Sequence, residues 1–409
     1  MTEPRRLLLV LFAGGLLMAG TARAEPLTLQ DALVRAEEVS AQIHLQELSS
    51  EAAEARWLAD PRAGAPSIRL GVRDLDVTTV NEPDPGEPEF VARVRMPLPR
   101  PWDLEAAAKQ GAATVAREDA ELDAIRDDVR EAVTRRFHAL PFAQASHQIA
   151  TRLVELRTQH AQAVAERRAE GLATALDWLD SEEKRRDAAD DQAALAADVQ
   201  SIEAELRLLL QWPVGEPLQL VPQEQEPRVA APTPTREELL EGLEARDPRV
   251  REAEAEIARA EARLRRLQLR SLPWLDWAQG GAVFKAAQPV SFEVGVAVDV
   301  PVYMWSPART RAASQELSSA RLQRDEARKE TEQRLASRLR SLEASRQRHA
   351  VERAHLEAIR ATAEPLLDLA DPLLELELQA RMARASLRAL NAFARVVEQL
   401  DRLDAEAHR

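Results

Sequence analysis

The sequence predicts a mainly α-helical protein that carries a small membrane-embedded β part and repeats one structural unit twice. Three observations predict this fold class. Long stretches rich in Ala, Leu, Arg and Glu indicate extended helices, and short segments alternate apolar with polar residues as strands do. The same order of elements recurs about 207 residues along the chain. Each unit is predicted to contain a helix, two strands and a long helical hairpin.

The composition excludes several classes of function. The chain has 409 residues and no cysteine, which excludes disulfides, thiolate metal sites and a lipid-anchoring cysteine. A formal net charge of −14 argues against binding to nucleic acid, because phosphate contacts require a basic surface. With only 13 glycines, the chain is also a poor candidate for a doubly wound α/β enzyme, whose tight turns and phosphate loops need glycine.

Residues 1–24 have the pattern of a secretory signal peptide. Two arginines precede an apolar run from Leu7 to Met18, and Ala22-Arg23-Ala24 matches an A-x-A cleavage site. The apolar run is shorter than the about 20 residues that a membrane span needs. We therefore expect an exported mature chain that starts at Glu25 and is not lipidated. Any membrane contact must then use an amphipathic surface or a β-barrel.

The mature chain divides into two predicted repeats, residues 25–211 and 235–409. Ala53-Glu54-Ala55-Arg56 of the first repeat matches Ala260-Glu261-Ala262-Arg263 of the second, and a proline follows in both. Residues 212–234 lie between the repeats and contain prolines at a density that no helix tolerates. We therefore predict an extended linker there.

Two strands are predicted in each repeat, within residues of about 66–97 and 274–302. Apolar residues occupy alternate positions, most clearly in Ile68–Arg73 and Phe292–Val300, which gives each strand one apolar and one polar face. Aromatic residues concentrate in or beside these segments, as in the interfacial girdles of membrane barrels. They are Trp57, Phe90, Trp102, Trp274, Trp277, Phe284, Phe292, Tyr303 and Trp305. The alternative is a soluble domain with two β-hairpins packed on helices, which leaves the aromatic placement unexplained.

Long helical stretches follow each strand pair. The first is predicted from Asp103, which can cap it, to about Arg168, and the second from Pro307 to Glu364. We expect Pro141 to kink or break the first stretch and Pro365 to stop the second, because proline removes a helical hydrogen bond.

Several motifs, in this order, resemble the outer-membrane efflux protein family, the TolC-like export channels. They are the opening Leu27-Thr28-Leu29-Gln30-Asp31-Ala32-Leu33, the Ala-Glu-Ala-Arg helices that lead to proline, the prolines that close each strand pair, and the glycine-led turn Gly171–Asp180. The resemblance covers essentially the whole mature chain. It implies a homotrimer in which four strands per protomer complete a twelve-stranded β-barrel above an α-helical periplasmic tunnel.

The resemblance also implies a function and partners. The trimer would be the passive exit duct of a tripartite efflux or secretion system in the outer membrane. A periplasmic adaptor (membrane fusion protein) would join it to an inner-membrane pump of the resistance-nodulation-division (RND) or ABC type. The sequence contains no P-loop, so energy would come from that pump. Neither the pump class nor the cargo, whether metal ion, drug or another compound, is indicated by the sequence.

Two groups of site residues follow from the resemblance to the family's hairpin tips. Arg168, Gly171, Leu172 and Thr174 of the first tip are the expected adaptor contacts. The second tip lacks the glycine, and Asp368 and Asp371 are the expected periplasmic gate, since threefold symmetry turns an inward acid into a ring. The alternatives are an ordinary helix–helix turn at the first tip and solvated helix-end acids at the second.

A third group would line the barrel. If the apolar strand faces meet lipid, the charged residues between them point into the lumen and keep it hydrated. These residues are Arg69, Arg73, Arg93, Arg95, Glu293 and Asp299.

Two other classes of protein fit the sequence less well. A soluble periplasmic coiled-coil adaptor or scaffold of an envelope transport complex would also be exported and helical, but such a protein usually presents one hairpin rather than two. An enzyme is not expected, because the seven histidines form no metal-ligand pair and no nucleophile or nucleotide motif is present. No cofactor or metal is expected either.

Overall fold

A computed structural model describes residues 26–59, 65–73, 89–241, 246–270, 272–284, 289–300, 307–367 and 371–408. The predicted signal peptide lies outside the described residues. The first repeat contains α1 (Leu29–Val39), α2 (Ala41–Ala59), β1 (Ser67–Arg73), β2 (Glu89–Pro97), α3 (Pro101–Ala169) and α4 (Ala175–Leu209). The predicted linker and second repeat contain α5 (Glu226–Ala230), α6 (Arg236–Leu240), α7 (Pro248–Leu269), β3 (Trp274–Phe284), β4 (Ser291–Asp299), α8 (Pro307–Leu367) and α9 (Pro372–His408). The prediction that residues 212–234 are extended throughout is wrong, because Pro227 lies in the first turn of α5, where a helix does not need its N–H. This order confirms the predicted mainly helical fold with two strand pairs, each followed by long helices. The division into two repeats stays a prediction.

The N-terminal helical run begins where the sequence predicts but is not continuous. Thr28 caps α1 through a capping box with Asp31, in which the Thr28 side chain accepts from the Asp31 backbone N–H. The run is interrupted at Ser40, whose backbone is extended, and α2 starts at the next residue. The Ser40 hydroxyl accepts a hydrogen bond from the Ile43 N–H, so a local side-chain contact competes with the helix at this point.

Helix α3 is continuous through Pro141, so of the two predicted outcomes, a kink or a break, the break does not occur. Phe137 and Leu140 are buried before the proline, and Ser146 and Ala150 are buried after it. Tertiary packing on both sides thus outweighs the one hydrogen bond that proline removes. Helix α8 likewise includes Pro365 and ends two residues later, at Leu367.

The helices form one wall, with α3 and α8 running through its whole length. Near the hairpin tips the packing order is α4, α3, α9, α8, and near the strands it is α2, α3, α7, α8. Helices α2 and α4 therefore lie at one edge of the wall, and α8 lies at the other. The interior consists of small clusters between neighbouring helices, such as Leu153, Leu156, Ala188 and Ala380 above the tips.

The four strands form one antiparallel sheet in the order β1-β2-β3-β4. Its register separates apolar from polar residues across all four strands. One row joins Ile68, Val94, Gly280 and Val294, and the neighbouring row joins Arg69, Arg93, Gly281 and Glu293. Because neighbouring rows point to opposite sides, the sheet has one apolar and one polar face.

Among the helices of the described residues, none is both long and apolar enough to cross a membrane.

Candidate functional site

The apolar face of the sheet is open to its surroundings. Its large side chains are between 44% and 86% exposed. They are Ile68, Leu70 and Val72 of β1, Phe90, Val94 and Met96 of β2, Phe284 of β3, and Phe292, Val294, Val296 and Val298 of β4. A continuous exposed apolar surface of this kind marks a site that contacts another protein or a membrane.

The polar face is held together by ion pairs between strands. An Arg93 guanidinium nitrogen lies 2.6 Å from a carboxylate oxygen of Glu293, so its side chain crosses β3 to reach β4. Arg95 lies 3.7 Å from Asp276 and stacks 4.4 Å from the centre of the Trp277 ring. Because each of these arginines lies beside a carboxylate, the polar face carries charged side chains but little net charge at these positions.

The structure places the residues predicted to line the lumen on this polar face. Arg69, Arg93, Arg95, Glu293 and Asp299 share it by register, and Asp299 pairs with Arg100 at the start of α3. The backbone of Arg73 has the same register position, while its side chain lies outside the described residues. That this face lines a lumen stays a prediction.

Gly281 gives Arg93 its path across the sheet, which provides a matched test. A Cβ at Gly281 would lie 2.7 Å from the Arg93 Cγ and 2.9 Å from the Ala92 carbonyl oxygen, whereas a Cβ at Gly280 would contact nothing within 4 Å. We expect Gly281→Ala to lower the free energy of unfolding by about 1–3 kcal/mol, as overpacking does. Gly280→Ala should have little effect in the same denaturant titration. Equal effects of the two variants would contradict this account of Arg93.

The two helices that follow β2 and precede β3 are joined at the start of α3. Asp103 accepts hydrogen bonds from Arg266 at 2.6 Å and Arg270 at 3.0 Å, so this residue joins α3 to α7. Burial acts to raise the pKa of Asp103, but the hydrogen bonds from Arg270 and Arg266 hold it below its usual value. The expectation that Asp103 caps α3 is therefore wrong, because Pro101 already begins the helix and Arg100 precedes it.

The aromatic residues divide between the two ends of the sheet. At the helical end, Trp102 and Trp274 contact edge to face with centroids 5.0 Å apart. At the far end, Phe90 and Phe284 are opposite each other on the apolar face. Trp57 does not flank the strands, because it lies on α2 against Gly111 of α3. Tyr303 and Trp305 lie outside the described residues.

The first hairpin tip has the predicted turn. Gly171 has a φ of +78°, a conformation that favours glycine, and its N–H donates to the Arg168 carbonyl at 3.0 Å. Thr174 caps α4 through a capping box with Asp177, and the Thr174 hydrogen bonds lower the pKa of Asp177. The Leu172 side chain is 73% exposed beside this turn. The tip thus presents an apolar side chain on a fixed backbone.

The second tip is tied to the first by an ion pair that the sequence does not reveal. Arg167 lies 2.6 Å from Asp371, although the two residues are 204 positions apart. Both side chains are partly exposed, so the pair is individually weak. Asp368, the other predicted gate residue, lies outside the described residues.

Among the described residues, no group of three or more His, Asp or Glu side chains is arranged to hold a metal ion.

The same architecture occurs in solved outer-membrane channels. The outer-membrane channel OprN matches with a TM-score of 0.74 at 14% identity, over 93% of this chain and 89% of that chain. CusC, solved in studies of folding and transmembrane channel formation, matches with a TM-score of 0.71 at 14% identity, over 92% and 91%. The open state of the Neisseria gonorrhoeae MtrE channel matches with a TM-score of 0.70 at 16% identity, over 93% and 88%. No protein-family model matches the sequence, and no curated protein does.

Proposed function

We propose that this chain, which has the fold of the TolC-like outer-membrane efflux channels, is the protomer of a homotrimeric channel in the outer membrane. The channel would be the passive exit duct of a tripartite efflux or secretion system. A soluble periplasmic adaptor or scaffold is the alternative. The observation that carries the proposal is the exposed apolar face of the sheet, which water solvates poorly and hydrocarbon solvates well.

The open edges of the sheet support closure by further copies. β1 and β4 are the outer strands of the four-stranded order, so each has one side of its backbone without a strand partner among the described residues. Lipid supplies no hydrogen bonds, and a membrane sheet must therefore close into a barrel. Pairing of β4 with β1 of the next copy achieves closure, and three copies give twelve strands.

The edges of the helical wall support the same assembly. Exposed large apolar residues concentrate on the edge helices α2, α4 and α8, while among the described residues the central helices α3 and α7 have none and α9 has one, Leu374. The edge residues are Leu45, Leu48 and Leu58 of α2, Leu176, Leu179 and Leu208 of α4, and Leu322, Val351 and Leu366 of α8. Contact between α8 of one copy and α2 and α4 of the next would bury both sets.

The two ends of the molecule then have separate roles. The polar face, with its paired charges, would line the barrel lumen. The first tip, with Arg168, Gly171, Leu172 and Thr174, would contact a periplasmic adaptor that links the channel to an RND or ABC pump. The exposed Leu172 on a fixed turn supports this contact.

Conductance tests the proposal directly. Purified protein added to a planar bilayer should produce discrete conductance steps, and the protein should fractionate with the outer membrane. A protein that is recovered in the soluble periplasmic fraction and leaves the bilayer silent would favour the adaptor alternative.

The Arg167–Asp371 pair would hold the tunnel closed at the tips, where Asp368 and Asp371 form the proposed gate. Breaking one exposed ion pair costs at most about 1 kcal/mol, so Arg167→Ala, which removes the pair from all three protomers, should raise the open probability by up to about fivefold for each protomer. Replacing Asp368 and Asp371 together by alanine should also raise single-channel conductance. Arg168→Ala is the matched control, because Arg168 stacks 5.0 Å from the Trp178 ring centre instead. Unchanged gating in the Arg167 and Asp371 variants would exclude the pair as a gate.

A further inference from the structure

A histidine lies at the contact between the two hairpins of the protomer, near their tips. His160 is on α3, about three helical turns from Gly171, and faces α4 and α9. Its Nδ1 atom is buried and has no hydrogen-bond partner among the described residues. A neutral imidazole leaves only an acceptor unsatisfied there, whereas an imidazolium would bury an N–H donor without an acceptor.

The charged groups around His160 already satisfy one another. Arg157 of α3 pairs with Glu377 of α9, and Lys184 lies 2.7 Å from Asp180 within α4. Two cations and two anions therefore face the ring, and each has its own partner. A proton on His160 would add a third positive charge without a free carboxylate to receive it.

The balance of these effects favours the neutral ring. Burial lowers the pKa of His160, with Arg157 and Lys184 acting in the same direction and Glu377 and Asp180 opposing them. The pKa of Glu377 is also lowered, since hydrogen bonds from Arg157 and Arg381 outweigh its burial. Glu377 therefore stays ionised between pH 5.5 and 7.5, and His160 is the facing group that changes charge.

His160 also lies between two contacts that hold the hairpins together near their tips. The cluster Leu153, Leu156, Ala188 and Ala380 joins α3, α4 and α9 on one side of it. On the other side, towards the tips, the exposed Arg167–Asp371 pair ties α3 to the start of α9. The stretch of α3 between these two points contains His160, followed by the buried Ala161 and Val164.

We propose that protonation of His160 loosens the contact between the two hairpins near their tips when the surroundings become acidic. Above the ordinary histidine pKa of about 6.5 the neutral ring packs without penalty. As the pH falls below that value, the packed state must either keep the ring neutral or accept a buried charge, and its stability decreases. Protonation of His160 weakens the packing near the tips whether or not the protein conducts, and in a channel it would favour open tips.

Hydrogen exchange measures this packing independently of conductance. Full-length protein in detergent is exchanged at pH 7.5 and 5.5, with rates corrected for intrinsic chemistry. Protection in residues 157–167 and 372–384 should fall at the lower pH by at most about tenfold, because pH 5.5 lies about one unit below the ordinary histidine pKa. His160→Gln and His160→Leu should abolish this fall, and His160→Lys should show low protection already at pH 7.5.

His355→Gln is the matched control, because His355 is exposed on α8, and this variant should keep the wild-type response. Equal wild-type protection at both pH values would overturn the proposal. So would a full response in His160→Gln or His160→Leu. If one of these variants packs poorly and has low protection already at pH 7.5, the comparison uses the other variant. A fall in protection with pH cannot come from position 160 when the residue there does not titrate.

Discussion

Val294→Arg should prevent stable insertion of the sheet into a membrane. Val294 is 86% exposed in the middle of the apolar face, so the proposed barrel places it against lipid. An arginine at the midplane of a membrane barrel costs about 2–4 kcal/mol, and three copies multiply that cost. The measurement is the fraction of protein that becomes resistant to extraction when it is refolded into vesicles.

Ser291→Arg is the control for charge itself. Ser291 lies on the same strand but on the polar face, opposite Val283 in the register. A new arginine there would face water in the lumen, and insertion should proceed almost as in the wild type. Equal losses in the two variants would contradict the assignment of the apolar face to lipid.

Asp401→Leu should destabilise the helical wall more than any surface substitution. The Asp401 carboxylate is buried on α9 and accepts hydrogen bonds from the His138 ring at 2.9 Å and from Arg228 at 2.6 Å. His138 belongs to α3 and Arg228 to α5, so one carboxylate connects three elements. Its loss leaves the buried His138 Nδ1 without its acceptor and Arg228 without its buried carboxylate partner, at a cost of about 3–5 kcal/mol. The denaturation midpoint of the helical signal measures this cost.

Asp404→Asn provides the comparison. Asp404 also accepts a hydrogen bond from Arg228, but its side chain is exposed and its pair is weak. The expected loss is below about 1 kcal/mol. If Asp404→Asn were as damaging as Asp401→Leu, burial would not be the source of the Asp401 effect.

Local signals made much of the fold predictable. Apolar and polar residues alternate around Ile68 and Val294, as they do in any strand with one apolar and one polar face. The structure places both residues in one row of the sheet. At the first tip, Gly171 and Thr174 were predictable because a positive φ and a helix cap depend on neighbouring residues alone. These features need no knowledge of distant contacts.

Features that depend on distant contacts were not predictable. Pro141 is a helix breaker by its local chemistry, but the packing of α4 and α9 against α3 keeps the helix continuous. Asp103 is of a residue type that often caps helices, but it instead accepts hydrogen bonds from Arg266 and Arg270 at the end of α7. The Arg167–Asp371 pair spans 204 positions, and no pattern in one sequence connects its two ends.

The mass of the purified protein in detergent decides whether this chain assembles as a trimeric membrane channel. Light scattering combined with size-exclusion chromatography gives the protein mass of the particle without the bound detergent. We expect three chains per particle, which stay together until heated, and loss of solubility when the detergent is removed. A single chain that stays dissolved in plain buffer would rule out the trimeric channel, since the apolar face would then tolerate water and the open strand edges would need no partner.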